Sequence, residues 1–283
     1  MAIPSYATPL DKLWYVTFRV LCGLIFFFLL APILIMIPLS FNAEPYFTYT
    51  RDMLTLNPDG FSFRWYQEMF ASESWMRSIR NSFLIGICAT LLATTLGTLA
   101  ALGLSQSQMP AKGLIMGILI SPMIVPLIIS AAGMFFFYSQ VNLANTFLGV
   151  VLAHTALGTP FVVITVTATL VGFDHSLTRA AANLGASPAL TFRKITMPLI
   201  LPGVISGGLF AFITSFDEIV VVLFLAGVEQ RTIPREMWSG IRESISPTIL
   251  AVATVLVMIS IALLTLVEML RRRGERMRGL SPG

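Results

Sequence analysis

An all-α, polytopic membrane protein with six transmembrane helices is the fold class predicted by this chain's composition, its apolar runs and the sidedness of its cations. Hydrophobic residues make up 56% of the 283 residues and charged residues only 11%, which excludes an ordinary soluble domain. Apolar runs occur near residues 20–40, 82–104, 113–138, 147–172, 199–227 and 247–270. Each is long enough to cross about 30 Å of hydrocarbon as a helix. With the amino terminus inside, eleven of the 18 Lys and Arg residues fall on the cytoplasmic side: Lys12, Arg19, Lys112, Arg179, Arg193, Lys194, Arg271, Arg272, Arg273, Arg276 and Arg278. The outer loops hold the remaining cations and most of the acids, in line with the positive-inside bias. Both termini and the loop 173–198 are therefore expected in the cytoplasm.

The first run follows Lys12 and Arg19, as a secretory signal would. At about twenty residues it is too long for a typical h-region and predicts a retained helix. The segment from Phe41 to Arg80 is a long outer connector with Trp65, Tyr66 and Trp75. Such residues form interfacial belts; alternatively, the loop lies beneath a docked partner, a role also open to Arg231, Arg235 and Glu236. Pro32, Pro122, Pro126 and Pro160 lie within spans, where packed neighbours can satisfy the freed backbone groups. Gly97, Gly103, Gly207 and Ala211 predict close helix approach. Cys22 and Cys88 both fall inside spans, so neither a structural disulfide nor a metal site is expected. The chain divides into an N-terminal helix with its outer loop (1–80), a helical core (81–270) and a basic tail (271–283) that reads as a headgroup anchor rather than a nucleic-acid arm.

The segment LTRAAANLGASPALTFRKITMPLILPG, from Leu177 to Gly203, is polar and basic between two apolar runs. Leu177, Ala180, Ala181 and Leu184 fall on one face of a short helix. Gly185 can end that helix in the left-handed conformation. Ser187 and Pro188 restart a helix as N-cap and first helical residue, with Arg193 and Lys194 near its end. Pro198 and Pro202 mark the return to an apolar run. The spacing thus predicts two helices about a knuckle at Gly185-Ala186-Ser187. It suits either a docking element or an amphipathic loop in the headgroup layer.

Ser215, Asp217 and Glu218 stand in the fifth run. Adjacent carboxylates inside an apolar helix cost several kcal/mol unless they face water, a cation or a partner. In a helix ending near Gly227 they would lie about 13 Å inside its outer end. They serve either as a cation-interacting site or as hydrated groups at a pore mouth. His154 reads as a helix-packing or pore residue and His175 as a solvated loop residue. No G-x-x-x-x-G-K-S/T phosphate loop occurs, so ATP hydrolysis through that motif is excluded. No catalytic signature or metal-binding pattern is found. One alternative is an ion-coupled secondary transporter with Asp217 and Glu218 as relay, which would transport without ATP. Another is a membrane scaffold, which would tolerate neutralising both acids. Neither explains the two-helix loop.

LTRAAANLGAS followed by ITMPLILPG resembles the "EAA" loop of permease subunits of binding-protein-dependent ABC importers, of the MetI-like type I fold. The small residues map to Ala180 and Ala181, the glycine to Gly185 and the prolines to Pro198 and Pro202, while the motif's glutamate is Arg179 here. In that family the loop is a coupling helix seated in a cleft of the ATPase. The resemblance therefore implies ATPase-coupling positions at Arg179, Ala180, Ala181, Gly185, Ala186 and Ser187, without a specific ion pair at residue 179. It further implies a bacterial inner-membrane location, an ATPase dimer, a second permease subunit and a periplasmic binding protein. ATP would be used by the partner ATPase, with no cofactor on this chain.

FSFRWY at 61–66, Asn81-Ser82, SFDEIVVVLFLAG at 215–227 and Ser246-Pro247 are similar to the spermidine/putrescine-type permeases. That likeness implies substrate contact at Ser215, Asp217 and Glu218. Members often carry an aspartate beside a proline in the third span, where this chain has Met123 and Leu127. A polyamine and a solute with one cationic group, opine-like or amino-acid-like, both stay open.

Overall fold

The computed structural model describes residues 8–106, 108–243 and 246–277. Among them the one β feature is an isolated antiparallel bridge between Asn42 and Phe61. Helix α1 (Pro9–Leu39) begins well before the expected run near residue 20. The reason is local: Thr8 Oγ accepts from the Asp11 N–H while the Asp11 carboxylate accepts from the Thr8 N–H, and Pro9 takes the first helical position. This capping box satisfies two orphan donors at once. Short helices α2 (Arg51–Leu54) and α3 (Arg64–Ala71) follow, then α4 (Glu73–Ser105).

The third apolar run is not one straight span. It forms α5 (Lys112–Ile124) and α6 (Leu127–Gln140), bent by 102°. Val125 is extended (φ −70, ψ 133) because it precedes Pro126, whose ring excludes the helical conformation there. Helix α7 (Phe147–Val171) is followed by α8 (Ser176–Asn183) and α9 (Pro188–Thr191). A π turn over Phe192–Thr196 leads into α10 (Met197–Phe216). Continuous helix thus runs from Pro188 to Phe216 over 29 residues, and the fifth apolar run, expected over 199–227, breaks after Phe216. After a break come α11 (Val220–Leu225), α12 (Ile233–Glu243) and α13 (Thr248–Met277). Helix α13 extends into the basic tail that starts at residue 271, as far as Met277. Residues 278–283, with Arg278, lie outside the described residues.

The chain forms two compact units, residues 1–72 with 240–283 and residues 73–239. In the first, α1 and α3 both pack on α13. The 18-residue apolar window of α1 is 0% buried and its large side chains point outward on every face, as for a helix whose solvent is lipid. Trp65 is 3% exposed and its indole N–H donates to the Asn42 carbonyl at 2.7 Å. The Tyr66 hydroxyl bonds Ser40 Oγ, also at 2.7 Å. Trp65 is therefore an interior residue of the unit, and Tyr66 is half-buried beside it.

In the second unit α4, α7 and α10 form the core, with helix crossings set by small residues. A Cβ on Gly97 would come within 2.6 Å of Val162 Cβ, and one on Gly158 within 3.0 Å of Ala211 and 3.5 Å of Ala93. One on Gly207 would meet Val162 Cα at 2.8 Å. The pairings 93/158 and 97/162 make α4 and α7 parallel, while 207/162 and 211/158 make α10 antiparallel to both. Backbones this close gain packing and weak Cα–H contacts that larger side chains would forbid. Gly103 departs from the expectation, since nothing lies within 4 Å of it. The α8–α9 elbow sits at one end of the unit. The starts of α4 and α7 and the end of α10 lie at the other.

Candidate functional site

The elbow is closed by local hydrogen bonds. Asp174 accepts the Ser176 N–H at 2.8 Å and so opens α8. The same hydroxyl-bearing residue, through its amide first, holds the Asp174 carboxyl below its ordinary value. At the other end Ala186 N–H reaches the Ala181 carbonyl at 3.0 Å and Gly185 N–H the Ala182 carbonyl at 2.9 Å. This is a Schellman stop, with Gly185 in the left-handed region at φ +80. Ser187 Oγ then accepts the Leu190 N–H at 3.3 Å and Pro188 starts α9.

Arg179, Ala180, Gly185 and Ser187 are exposed, Ala186 is half-buried and Ala181 is buried. Only Ala181 of the expected apolar face is covered. Leu177 is exposed, and Leu184 is 89% exposed at the tip of the elbow. Arg193 and Lys194 do not end a helix, as the spacing suggested. They lie in the π turn, where Met197 N–H bonds the Phe192 carbonyl. The wider turn accommodates Pro198, which has no N–H to continue the α ladder.

The end of α10 treats its three polar residues differently. Ser215, in the last turn, is buried against α7, with Oγ 2.7 Å from His154 Nδ1. Asp217 caps the helix through its backbone N–H to the Ile213 carbonyl and its side chain is exposed. Glu218 is 7% exposed and its carboxylate accepts the Val221 N–H at 2.9 Å, which caps α11. The acids are thus not embedded in a continuous apolar helix. They occupy the break after it, and of the two only Asp217 is exposed. Phe216 stacks on Phe212 at 5.4 Å and meets the edge of Phe83 at 5.2 Å, placing an aromatic cluster next to that carboxylate in the chain. A carboxylate and aromatic faces together attract an ammonium group.

Sequence reasoning missed the His154–Ser215 pair, because 61 residues separate its members. It also missed that Arg235 Nη1 donates to the carbonyls of Val222, Ala226 and Gly227, which end α11. No signal in the spacing could have found either. His175 is exposed and lies edge-on to Phe173 at 5.3 Å. Among the described residues no group of His, Cys, Asp and Glu could hold a metal ion.

The family described as "Binding-protein-dependent transport system inner membrane component" matches residues 93–276. The spermidine/putrescine transport system permease protein PotC of Haemophilus influenzae is 32% identical over 89% of this chain and 95% of its own length. In structure, the chain resembles a bacterial ABC transporter involved in the import of the acidic polysaccharide alginate. The TM-score is 0.74 with 14% identity, covering 94% of this chain and 99% of that one. A second structure, of the bacterial alginate ABC transporter in complex with alginate pentasaccharide-bound periplasmic protein, gives a TM-score of 0.64 with 15% identity, covering 93% and 96%. These two likenesses bear on fold alone.

Proposed function

Because this permease subunit of an importer belongs to the family of binding-protein-dependent transport system inner membrane components, we propose that it forms one half of the translocation pathway for a small cationic solute of the polyamine class. The other half is a second permease subunit. Two ATPase subunits sit at the cytoplasmic elbow, and a periplasmic binding protein delivers substrate at the opposite end. The single observation that carries this reading is the elbow, where a leucine stands 89% exposed on a helix stopped at both ends by specific caps. Leu177, Leu190 and Phe192 are exposed on the same short segment, and grouped apolar exposure of this kind, rather than one leucine, marks a surface that a partner covers.

ATP-driven closure of the ATPase pair moves the elbow about Gly185 and rocks α7 and α10, the helices it joins. The pathway then opens outward and accepts substrate. Coupling requires the elbow to bind differently in the two ATPase states, because equal binding shifts nothing. Arg179 and Ala180 form the exposed face of α8, and Ala181, Gly185, Ala186 and Ser187 fix its angle to α9.

Asp217 is the carboxylate that meets an ammonium group of the substrate. Ser215 and Glu218 hold the break in shape from behind, through His154 and α11. One exposed acid suits one cationic centre. A di- or triamine needs its further ammonium groups met by the second permease subunit, since Met123 and Leu127 offer none. The relative's name, a spermidine/putrescine permease, supports the polyamine over an opine-like solute.

Mild-detergent purification from the native membrane, with mass spectrometry of what co-elutes, tests the class. An ATPase and a sister permease are expected. Recovery of this chain alone, from a preparation that keeps known membrane complexes intact, overturns the reading. Uptake of labelled putrescine, spermidine and an opine by proteoliposomes of the purified complex then separates the substrate classes.

A further inference from the structure

Helix α1 is longer than a bilayer requires. Its 31 residues span about 46 Å as a helix, against about 30 Å of hydrocarbon. Two aromatic sites along it are separated by the smaller distance. Near its start Trp14 is exposed, and the Arg19 guanidinium lies over the Tyr15 ring at 4.5 Å. Near its end the Tyr49 hydroxyl donates to the Ile35 carbonyl at 2.9 Å. Ile35 follows Tyr15 by 20 residues, or about 30 Å of helix. The exposure of α1 changes at the same level. Residues 32–35 are exposed, whereas Met36 onward is half-buried or buried. Its outward apolar surface therefore ends where Tyr49 is attached.

The turn that carries Tyr49 is built for a place with little water. Asn42 is 0% exposed, and its Nδ2 donates to the carbonyls of Tyr46 at 3.0 Å and Thr48 at 2.9 Å. Its Oδ1 accepts the Glu44 N–H at 2.9 Å. One buried amide thus satisfies three backbone groups of an irregular turn. Water serves that purpose in an ordinary exposed loop, whereas non-helical backbone at membrane depth needs partners within the protein. Residues 44–49 are all exposed, with Tyr46 at 60% and Glu44 as their one charged side chain. Three of the six are aromatic, Tyr46, Phe47 and Tyr49. Rings with an apolar body and a polar tip suit the boundary between headgroups and hydrocarbon.

We propose that residues 44–49 are seated in the headgroup layer at the end of α1, with Tyr46 and Phe47 on lipid and Tyr49 fixing their depth. The outer connector then does carry an interfacial belt, made by these rings and not by Trp65. Lipid is the occupant because the turn continues the outward surface of α1 at one hydrocarbon thickness from Tyr15. The importer reading enters only in assigning that layer to the periplasmic leaflet.

The test uses the assembled transporter in nanodiscs, with Cys22→Ser and Cys88→Ser and a nitroxide label on Tyr46→Cys or Phe47→Cys. Collision rates are read with oxygen, which concentrates in lipid, and with a nickel chelate confined to water. A label on Phe27→Cys, near the middle of α1, marks the hydrocarbon, and free nitroxide marks the buffer. The oxygen-to-nickel ratios at 46 and 47 are expected between these two references. Adding Tyr49→Phe should shift the ratio at 47 toward the buffer value. Ratios equal to the buffer value overturn the proposal and stand the turn clear of the membrane. Exclusion of both collision partners also overturns it. It assigns the turn to the sister permease, or to the binding protein where exclusion appears only once that protein is added. A ratio unmoved by Tyr49→Phe overturns the role of that hydroxyl in setting depth. Each of these outcomes leaves the importer reading to be decided by the co-purification above.

Discussion

His154 Nδ1 lies 2.7 Å from Ser215 Oγ, with both side chains buried and His154 Nε2 left without a hydrogen-bond partner among the described residues. The pair ties the middle of α7 to the last turn of α10, directly before the break that carries Asp217. Ser215→Ala should cost about 1–3 kcal/mol, because the imidazole is then buried with neither nitrogen paired. Removing both partners together, as His154→Leu with Ser215→Ala, should cost less than the two single changes summed. Thermal unfolding of the purified protein reads this directly; additive losses would show that the bond contributes nothing.

Asp217 and Glu218 should separate when neutralised one at a time. Asp217→Asn removes the exposed carboxylate and is expected to raise the KM of uptake about tenfold, the loss of one charge-assisted contact, without altering thermal stability. Glu218→Gln keeps an oxygen that can accept the Val221 N–H, so α11 stays capped. Its uptake should fall far less. Equal losses in both would assign substrate contact to the pair.

Gly185 adopts φ +80 with open space around the position of a Cβ. A substitution there meets backbone strain rather than a clash, about 1–3 kcal/mol for a non-glycine residue in this region. Gly185→Val should abolish uptake while leaving membrane insertion intact. Gly185→Asn, which tolerates the left-handed region, should keep much of it. Normal uptake by the valine variant would remove the elbow from the mechanism.

Gly97 and Gly103 lie six positions apart on α4 and should answer differently to alanine. Gly97→Ala places a methyl 2.6 Å from Val162 Cβ, and such overpacking costs about 1–3 kcal/mol. Gly103→Ala meets nothing within 4 Å and removes a flexible residue from a helix, worth about 0.5–1 kcal/mol in its favour. Melting temperatures should therefore move in opposite directions.

Asp174 gives α8 a pH dependence with a definite sign. Its folded pKa lies below the ordinary 3.8, chiefly through the Ser176 N–H bond. The cap's contribution is therefore complete above about pH 4 and is lost as pH falls through the folded value. Amide-exchange protection of α8, corrected for intrinsic rates, should drop in that window. In Asp174→Asn the drop should vanish; a drop that persists would assign it to another group.

What could be read from the chain was what short stretches decide for themselves. Helical spans follow from runs of apolar residues, and the elbow follows from Gly185 and from Ser187-Pro188, because caps and stops are made of atoms a few residues apart. The same local logic placed Pro126 correctly in the third run but did not disclose the 102° bend it produces with Val125. Where α10 stops, which of Ser215, Asp217 and Glu218 remains exposed, and whether Gly97 or Gly103 faces a neighbour were decided only in the tertiary structure. So were the interior position of Trp65 and the pairing of His154 with Ser215. A polar side chain is free or committed according to the groups packed around it, and those groups come from helices far apart in the sequence, whose approach depends on the fit of whole surfaces.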